Sequence, residues 1–305
     1  MNQVDVTVML APRSLDAPLR MALAHLEHQS FPSGRFEVLV VDAIPNAHLA
    51  KTIESFAAGS PVRVRALEAQ GVPPPAAFNR AVEAAQGRWL LFLDETLLAG
   101  PECVAEHVCA QERNGALCAI LGPIRLHSQA DDSAFVKRSW WYPALAPSAA
   151  VPVSFLDWRL FNLSLPRRAV LDAGGFDEEY GASGMWDIDL AWRLSQRGVT
   201  GLFMPTATAF AWKPVSLEQE CRRHYADGCG LRRLQHKTAS PELTARYGPV
   251  LSSWRKLSDA WQAPVARRLC PLLASDTRLF DVMCRGLYRH ALRQGYRAAS
   301  FGSGR

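Results

Sequence analysis

The sequence predicts an α/β fold, a mainly parallel sheet sandwiched by helices, followed by a helical appendage at the C-terminal end. Three observations predict it. Short apolar, β-rich runs alternate with amphipathic helical stretches, the pattern of parallel strands joined by crossover helices. Two of those runs, residues 37–42 and 89–93, lead directly into carboxylates, Asp42 and Asp94. The charge balance also changes sign along the chain. Residues 221–305 carry 16 Lys and Arg against 5 Asp and Glu, whereas residues 1–220 carry 18 against 24. This asymmetry divides the chain into an α/β domain at 1–220 and a basic helical module at 221–305.

Each element has its own signal. Residues 4–10 read as the first strand. A helix follows over 15–28, with Pro18 near its first turn and Leu19, Ala22, Leu23 and Leu26 on one face. Residues 37–42 and 62–67 are the next strands. Residues 75–86 form a helix that Gly87 closes by adopting a left-handed cap. Residues 89–93 are a fourth strand, 100–114 a helix opened by Pro101, and 117–126 an apolar strand. The stretch 131–147, with Trp140, Trp141 and Tyr142, reads as a loop able to cover a site. A strand at 161–164, a short helix from Pro166, a loop at 174–184, a helix over 187–197 capped by Gly198 and a strand at 202–204 complete the domain.

At 305 residues and 49% hydrophobic content, the chain can bury a full core, which excludes global disorder. The seven cysteines are odd in number, scattered and never spaced as a zinc-binding pair, which predicts reduced thiols and a cytoplasmic protein. No signal peptide opens the sequence and no run of about 18 apolar residues interrupts it. In the basic module, Phe280, Met283, Cys284, Leu287 and Ala291 fall on one helical face, with Arg278, Arg285, Arg289 and Arg293 opposite. Two readings stand: packing on the main domain, or peripheral docking on an anionic membrane surface, where lipid-linked acceptors reside. Trp254 and Trp261, seven residues apart, fit the core face of a preceding helix. No nucleic-acid-binding signature accompanies the charge.

In open α/β sheets, ligands bind outside the carboxyl ends of the strands, so Asp42 and Asp94 are expected to face one site. The ordered set VVD at 40–42, AAFNRAVEAAQG at 76–87, FLDET at 92–96 and FNLSLPRRAVLDAGGFDEEYGASGMWDIDLAWRLSQRG at 161–198 resembles glycosyltransferase family 2. The GGFDE…DIDLAWRL stretch is its most specific part. The resemblance implies a GT-A fold and inverting transfer of a sugar from a nucleoside-diphosphate sugar to a hydroxyl of a glycan, lipid-linked or small-molecule acceptor.

It also implies roles for individual residues. Asp42 recognises the nucleobase, Asp94 contacts the nucleoside, and Asn79 or Arg80 contacts the donor. Asp187 is the general base and Glu95 a ligand for Mg²⁺ or Mn²⁺. Asp189 is structural. Three positions depart from the family pattern. Thr96 stands where the last acid of the DxD-type cluster is usual, Trp186 where a Glu precedes the base, and Trp212 where a metal-binding His is common. A cation held by Glu95 and the diphosphate, and a metal-independent site that uses side chains such as Lys213, Arg222, Arg223 or His224, both remain open. The departures also keep alive a catalytically degenerate, glycosyltransferase-like binding or scaffold subunit. A nucleotidyltransferase ranks last, because no Gly-rich phosphate loop lies near the N-terminus. The sugar, the base of the nucleotide and the acceptor depend on the loops around 131–153 and 181–186.

Overall fold

The computed structural model describes residues 4–11, 17–42, 47–94, 96–115, 117–127, 148–212, 216–252 and 278–299. Glu95, Lys213, the expected covering loop with Trp140, Trp141 and Tyr142, and the pair Trp254 and Trp261 lie outside them. The chain falls into two compact units. One comprises Met1–Ala130, Leu145–Glu179 and Asp187–Lys213; the other comprises Asp131–Ala144, Tyr180–Trp186 and Pro214–Arg305.

The first unit runs β1 (Val6–Leu10), α1 (Ala17–Glu27), β2 (Phe36–Asp42), α2 (Ala47–Gly59), β3 (Arg63–Glu68), α3 (Pro74–Ala84) and β4 (Trp89–Leu93). It continues with β5 (Leu97–Ala99), α4 (Cys103–Asn114), β6 (Cys118–Leu121), β7 (Ile124–Leu126), β8 (Val151–Val153), β9 (Asn162–Pro166) and α5 (Arg167–Asp172). After α6 (Trp186–Ser195) come β10 (Thr200–Phe203) and β11 (Ala209–Ala211). The main sheet has the order β3-β2-β1-β4-β9-β6-β10-β8, and a small sheet has the order β5-β11-β7. Strands β1 to β4 pair in parallel, while β9 runs antiparallel to both β4 and β6. Every residue of β1, β2, β4 and β9 is buried, as a sheet covered on both faces requires.

Two local expectations are corrected by close packing. Gly87 does not cap α3, which ends at Ala85 in an extended conformation. A Cβ on Gly87 would lie 2.3 Å from the backbone N of Thr7, so this glycine lets the chain pass tightly against β1 before β4 begins. The apolar run 117–126 is not one strand but β6 and β7, which belong to different sheets. At the break, a Cβ on Gly122 would lie 1.9 Å from the carbonyl oxygen of Ala207. Gly198 does adopt the left-handed conformation expected after α6, with φ at +84°.

A buried polar network ties β9 to α4 and to the turns that feed the small sheet. Asn162 donates to the carbonyls of Pro123 and Ala207, and its Oδ1 lies 3.0 Å from His107 Nε2. His107 Nδ1 lies 3.0 Å from the Ser164 hydroxyl, which also accepts from Gln111. These partners suit a neutral imidazole, donating at Nε2 and accepting at Nδ1. Burial pushes the His107 pKa down to about 4, against the raising effect of the Asn162 bond.

In the second unit, α7 (Leu217–Thr238) is followed by α8 (Pro241–Ser252) and α9 (Arg278–Ala298). A capping box opens α7: Ser216 accepts from the backbone N–H of Gln219, whose side chain accepts from the Ser216 N–H. The expected boundary at 220/221 therefore falls inside a helix. The apolar stripe of α9 is buried against α7, with Phe280, Cys284, Leu287, Tyr288 and Ala291 clustered around Cys221. The helices approach closely enough that a Cβ on Gly228 would meet the carbonyl oxygen of Leu292 at 2.0 Å. The stripe itself is thus used in packing, while Leu279 and Val282 of the same helix stay exposed. Arg293, expected in solvent, is 5% exposed and donates to the carbonyl of Val250. Among the described residues, no helix is long and apolar enough to cross a membrane.

Candidate active site

The strand register brings the sequence-predicted acids to one edge of the main sheet. Leu10 of β1 pairs with Val40 of β2 on one side and Leu93 of β4 on the other. Asp42 lies two residues beyond that row and Asp94 one residue beyond it. Because β9 is antiparallel to β4, with Asn162 opposite Leu93, the segment entering β9 arrives at this same edge. Arg159 sits in that segment and faces Asp187, the second residue of α6, with its Nε 3.0 Å from Asp187 Oδ2. Asp42, Asp94 and the Arg159–Asp187 pair thus gather where an open sheet binds ligands.

Asp42 closes β2 and is 3% exposed. Gln70 donates to its Oδ2 at 3.2 Å, but its Oδ1 is buried with no hydrogen-bond partner among the described residues. Buried carboxylate oxygens are costly to leave unpaired, so this atom is suited to an incoming donor such as a ring N–H. Arg80 stands exposed on α3, with no hydrogen bond or ion pair among the described residues.

Asn79 is engaged by the fold itself. Its Nδ2 donates to the carbonyl of Phe176 and to Glu178 Oε1, and its Oδ1 accepts from the backbone N–H of Phe176. Both N–H groups are committed to the GGFDE loop, which leaves this amide no donor to offer a nucleotide. Gly175 has φ at +69°, and a Cβ there would lie 2.5 Å from Asn79 Oδ1, so glycine and amide fit as a pair. From the other side, Arg193 donates to the carbonyls of Ala173 and Gly175 and pairs with Asp189, which is fully buried. The most specific stretch of the sequence is therefore largely a self-bracing scaffold for the helix that carries Asp187.

Asp187 and Arg159 are each nearly buried, with side-chain exposures of 10% and 8%. The 3.0 Å contact pairs a guanidinium with a carboxylate, both largely withdrawn from water. Asp187 Oδ1 additionally accepts from the N–H of Ile188. Sequence reasoning missed Arg159, because nothing in DWRLFN distinguishes it from a surface arginine before β9 is known to be antiparallel.

Glu95, the expected metal ligand, lies outside the described residues, and its described neighbours Asp94 and Thr96 are engaged with each other. Asp94 Oδ1 accepts from both the backbone N–H and the hydroxyl of Thr96, at 2.9 and 2.7 Å. The Thr96 hydroxyl is thus spent as a donor. The backbone N–H of Trp212 donates to the Thr96 carbonyl at 3.3 Å, which places these two departing positions side by side, and the Trp212 indole offers a metal no lone pair. Among the described residues, no group of three His, Cys, Asp or Glu could hold a metal ion.

Residues 16–149 match the family described as Glycosyl transferase family 2. The chain is 26% identical over 219 residues to a validoxylamine A glucosyltransferase of Streptomyces hygroscopicus subsp. limoneus. That match takes in 64% of this chain but only 48% of the relative, so the chain spans about half the relative's length. The mannosyltransferase PcManGT of Pyrobaculum calidifontis, solved with GDP-Man and Mn²⁺, superposes with a TM-score of 0.66 at 16% identity, over 95% of this chain and 86% of that one. S. aureus TarS 1-349 with UDP-GlcNAc gives a TM-score of 0.61 at 15% identity, over 98% and 92%. At such identities the two structures speak to the fold. The chain has the GT-A fold, and the match to the model of Glycosyl transferase family 2 is confined to residues 16–149.

Proposed function

We propose that the protein transfers a sugar from a nucleoside-diphosphate sugar to a hydroxyl acceptor, by a single displacement with inversion. The observation that carries the reading is the buried Oδ1 of Asp42, without a hydrogen-bond partner among the described residues, on the same sheet edge as Asp94 and the Arg159–Asp187 pair. Asp42 accepts a hydrogen bond from the nucleobase, Asp94 offers its remaining oxygen to the nucleoside, and the exposed Arg80 contacts the donor. Asp187 takes the proton of the acceptor hydroxyl as its oxygen forms the bond to the anomeric carbon. The bond from that carbon to the diphosphate breaks, and the nucleoside diphosphate leaves with the electron pair.

The donor set at Asp94, Thr96 and Trp212 supports a site that binds its nucleotide sugar without requiring a divalent cation. The same departures favour the second reading, a binding subunit without turnover.

Calorimetric titration with UDP-glucose, UDP-GlcNAc and GDP-Man, in Mn²⁺, in Mg²⁺ and in chelator, tests the proposal. One donor is expected to bind equally in all three conditions, to lose its affinity with Asp42→Asn, and to keep it with Asp187→Asn. The release of nucleoside diphosphate is expected to stop in Asp187→Asn. Binding seen only with a cation would overturn the metal-free site. Binding without release in the wild-type protein would favour the subunit reading.

A further inference from the structure

One face of α7 grips the segment Tyr180–Trp186, which ends one residue before Asp187. The Gly184 N–H donates to the carbonyl of Ala226 at 2.7 Å. The backbones are so close that a Cβ on Gly184 would lie 2.2 Å from Asp227 Oδ1 and 2.8 Å from Asp227 Cα. A Cβ on Gly230 would lie 1.8 Å from the carbonyl oxygen of Gly184 and 3.2 Å from Met185 Cβ. Further along the same face, the Arg233 guanidinium and the Lys237 ammonium lie 5.3 and 5.5 Å from the ring centroid of Tyr180. Residues 227, 230, 233/234 and 237 recur at helical spacing, so this is one continuous stripe. It is distinct from the stripe that receives α9, because Gly230 and Gly228 are separated by roughly 200° around the helix.

The gripped segment is strained. Met185 is 1% exposed and holds φ at +67°, a left-handed conformation that a residue with a bulky side chain adopts only when its surroundings impose it. The two residues that follow it are Trp186, at the head of α6, and Asp187. A peptide fixed at 184–185 therefore fixes the direction in which α6 starts.

We propose that this face of α7 holds peptide 184–185 in its strained form and so aims Asp187, making Gly230 and Asp227 positioning residues for the base. The inference rests on the reading of Asp187 as the base. The grip itself can be measured without that reading.

Gly230→Ala must push the Gly184 carbonyl away. Hydrogen exchange across 180–187 is expected to quicken by roughly tenfold, while exchange in β1, β2 and β4 stays at the wild-type rate. Turnover of the donor selected from the three nucleotide sugars, read as release of its nucleoside diphosphate, is expected to fall on the order of a hundredfold in kcat with donor KM unchanged. Arg233→Gln combined with Lys237→Gln introduces no clash and is expected to move both readouts in the same direction by less. It serves if the alanine variant fails to fold. His236→Ala, on an exposed position of α7, is the control and should change neither. Unchanged exchange across 180–187 in both gripping variants, or full kcat in a variant whose exchange has quickened, would overturn the proposal. Should Asp187→Asn keep full turnover, the base reading falls, while the exchange result still decides whether α7 holds the segment.

Discussion

Asn79 shows how a residue's type can be legible while its partner is not. The resemblance implies that Asn79 or Arg80, on the helix preceding β4, contacts the donor, and Arg80 stands exposed with no hydrogen bond or ion pair among the described residues. The Asn79 amide instead meets the GGFDE loop, which lies almost a hundred residues further along the chain. No periodicity in the sequence can announce such a pairing. The positions of Asp42 and Asp94 at strand ends and of Asp187 at a helix start were legible because strand ends and helix starts are local features. Arg159 was not, because its partnership with Asp187 depends on the direction of β9. The two roles open to Asn79 predict different outcomes for Asn79→Ala. As a loop anchor, it should cost about 2 kcal/mol of stability in chemical denaturation, by leaving the Phe176 backbone groups short of partners. Its affinity for the donor should stay within about twofold of wild type, a change worth less than 0.5 kcal/mol. A selective loss of donor affinity with unchanged stability would restore the role implied by the resemblance.

At the level of elements, the long, doubly buried strands were readable from their apolar runs, and α1, α3, α4, α5, α6 and α9 from their apolar faces and flanking Pro or Gly, whereas α2 and α7 were not read. The missed strands have a common cause. Strands β5, β8 and β11 are three residues long, too short for a period to establish itself, and they exist because pairing partners from distant segments supply their hydrogen bonds. The run at 117–126 looked continuous because both its halves are apolar, yet Gly122 marks a close approach by the turn at Ala207 that splits it between two sheets. Gly87 was read as a cap when it is a crossing point. Its replacement tests that difference. If Gly87 merely ended a helix, alanine would be nearly harmless at its non-left-handed φ. Because a Cβ would strike the backbone of Val6 and Thr7, Gly87→Ala is expected to destabilise the protein by about 3 kcal/mol, measured as a lower denaturation midpoint with an unchanged slope.

For the whole molecule, the distribution of charge correctly marked off a helical C-terminal region, but it suggested a surface role for residues that the fold uses internally. The stripe of α9 meets α7, Arg293 is buried on the Val250 carbonyl, and α7 itself reaches back to Tyr180–Trp186. Burial decides which ionisable groups govern global stability, and His107 is the clearest case. Its neutral ring joins Asn162 and Ser164 at the centre of the first unit, and its pKa falls from 6.5 to about 4 because burial penalises the charged form. The folded state therefore resists a proton that the unfolded chain accepts. The stabilisation is complete above pH 6.5 and is lost as the pH falls from there toward 4, by roughly 3 kcal/mol in all. His107→Asn removes the titrating group while keeping a donor and an acceptor. Denaturation followed from pH 7 to pH 4 should show the wild type losing more stability than the variant, with most of the difference accruing between pH 6.5 and 4. Parallel curves for the two proteins would mean that His107 is not the group that titrates on unfolding.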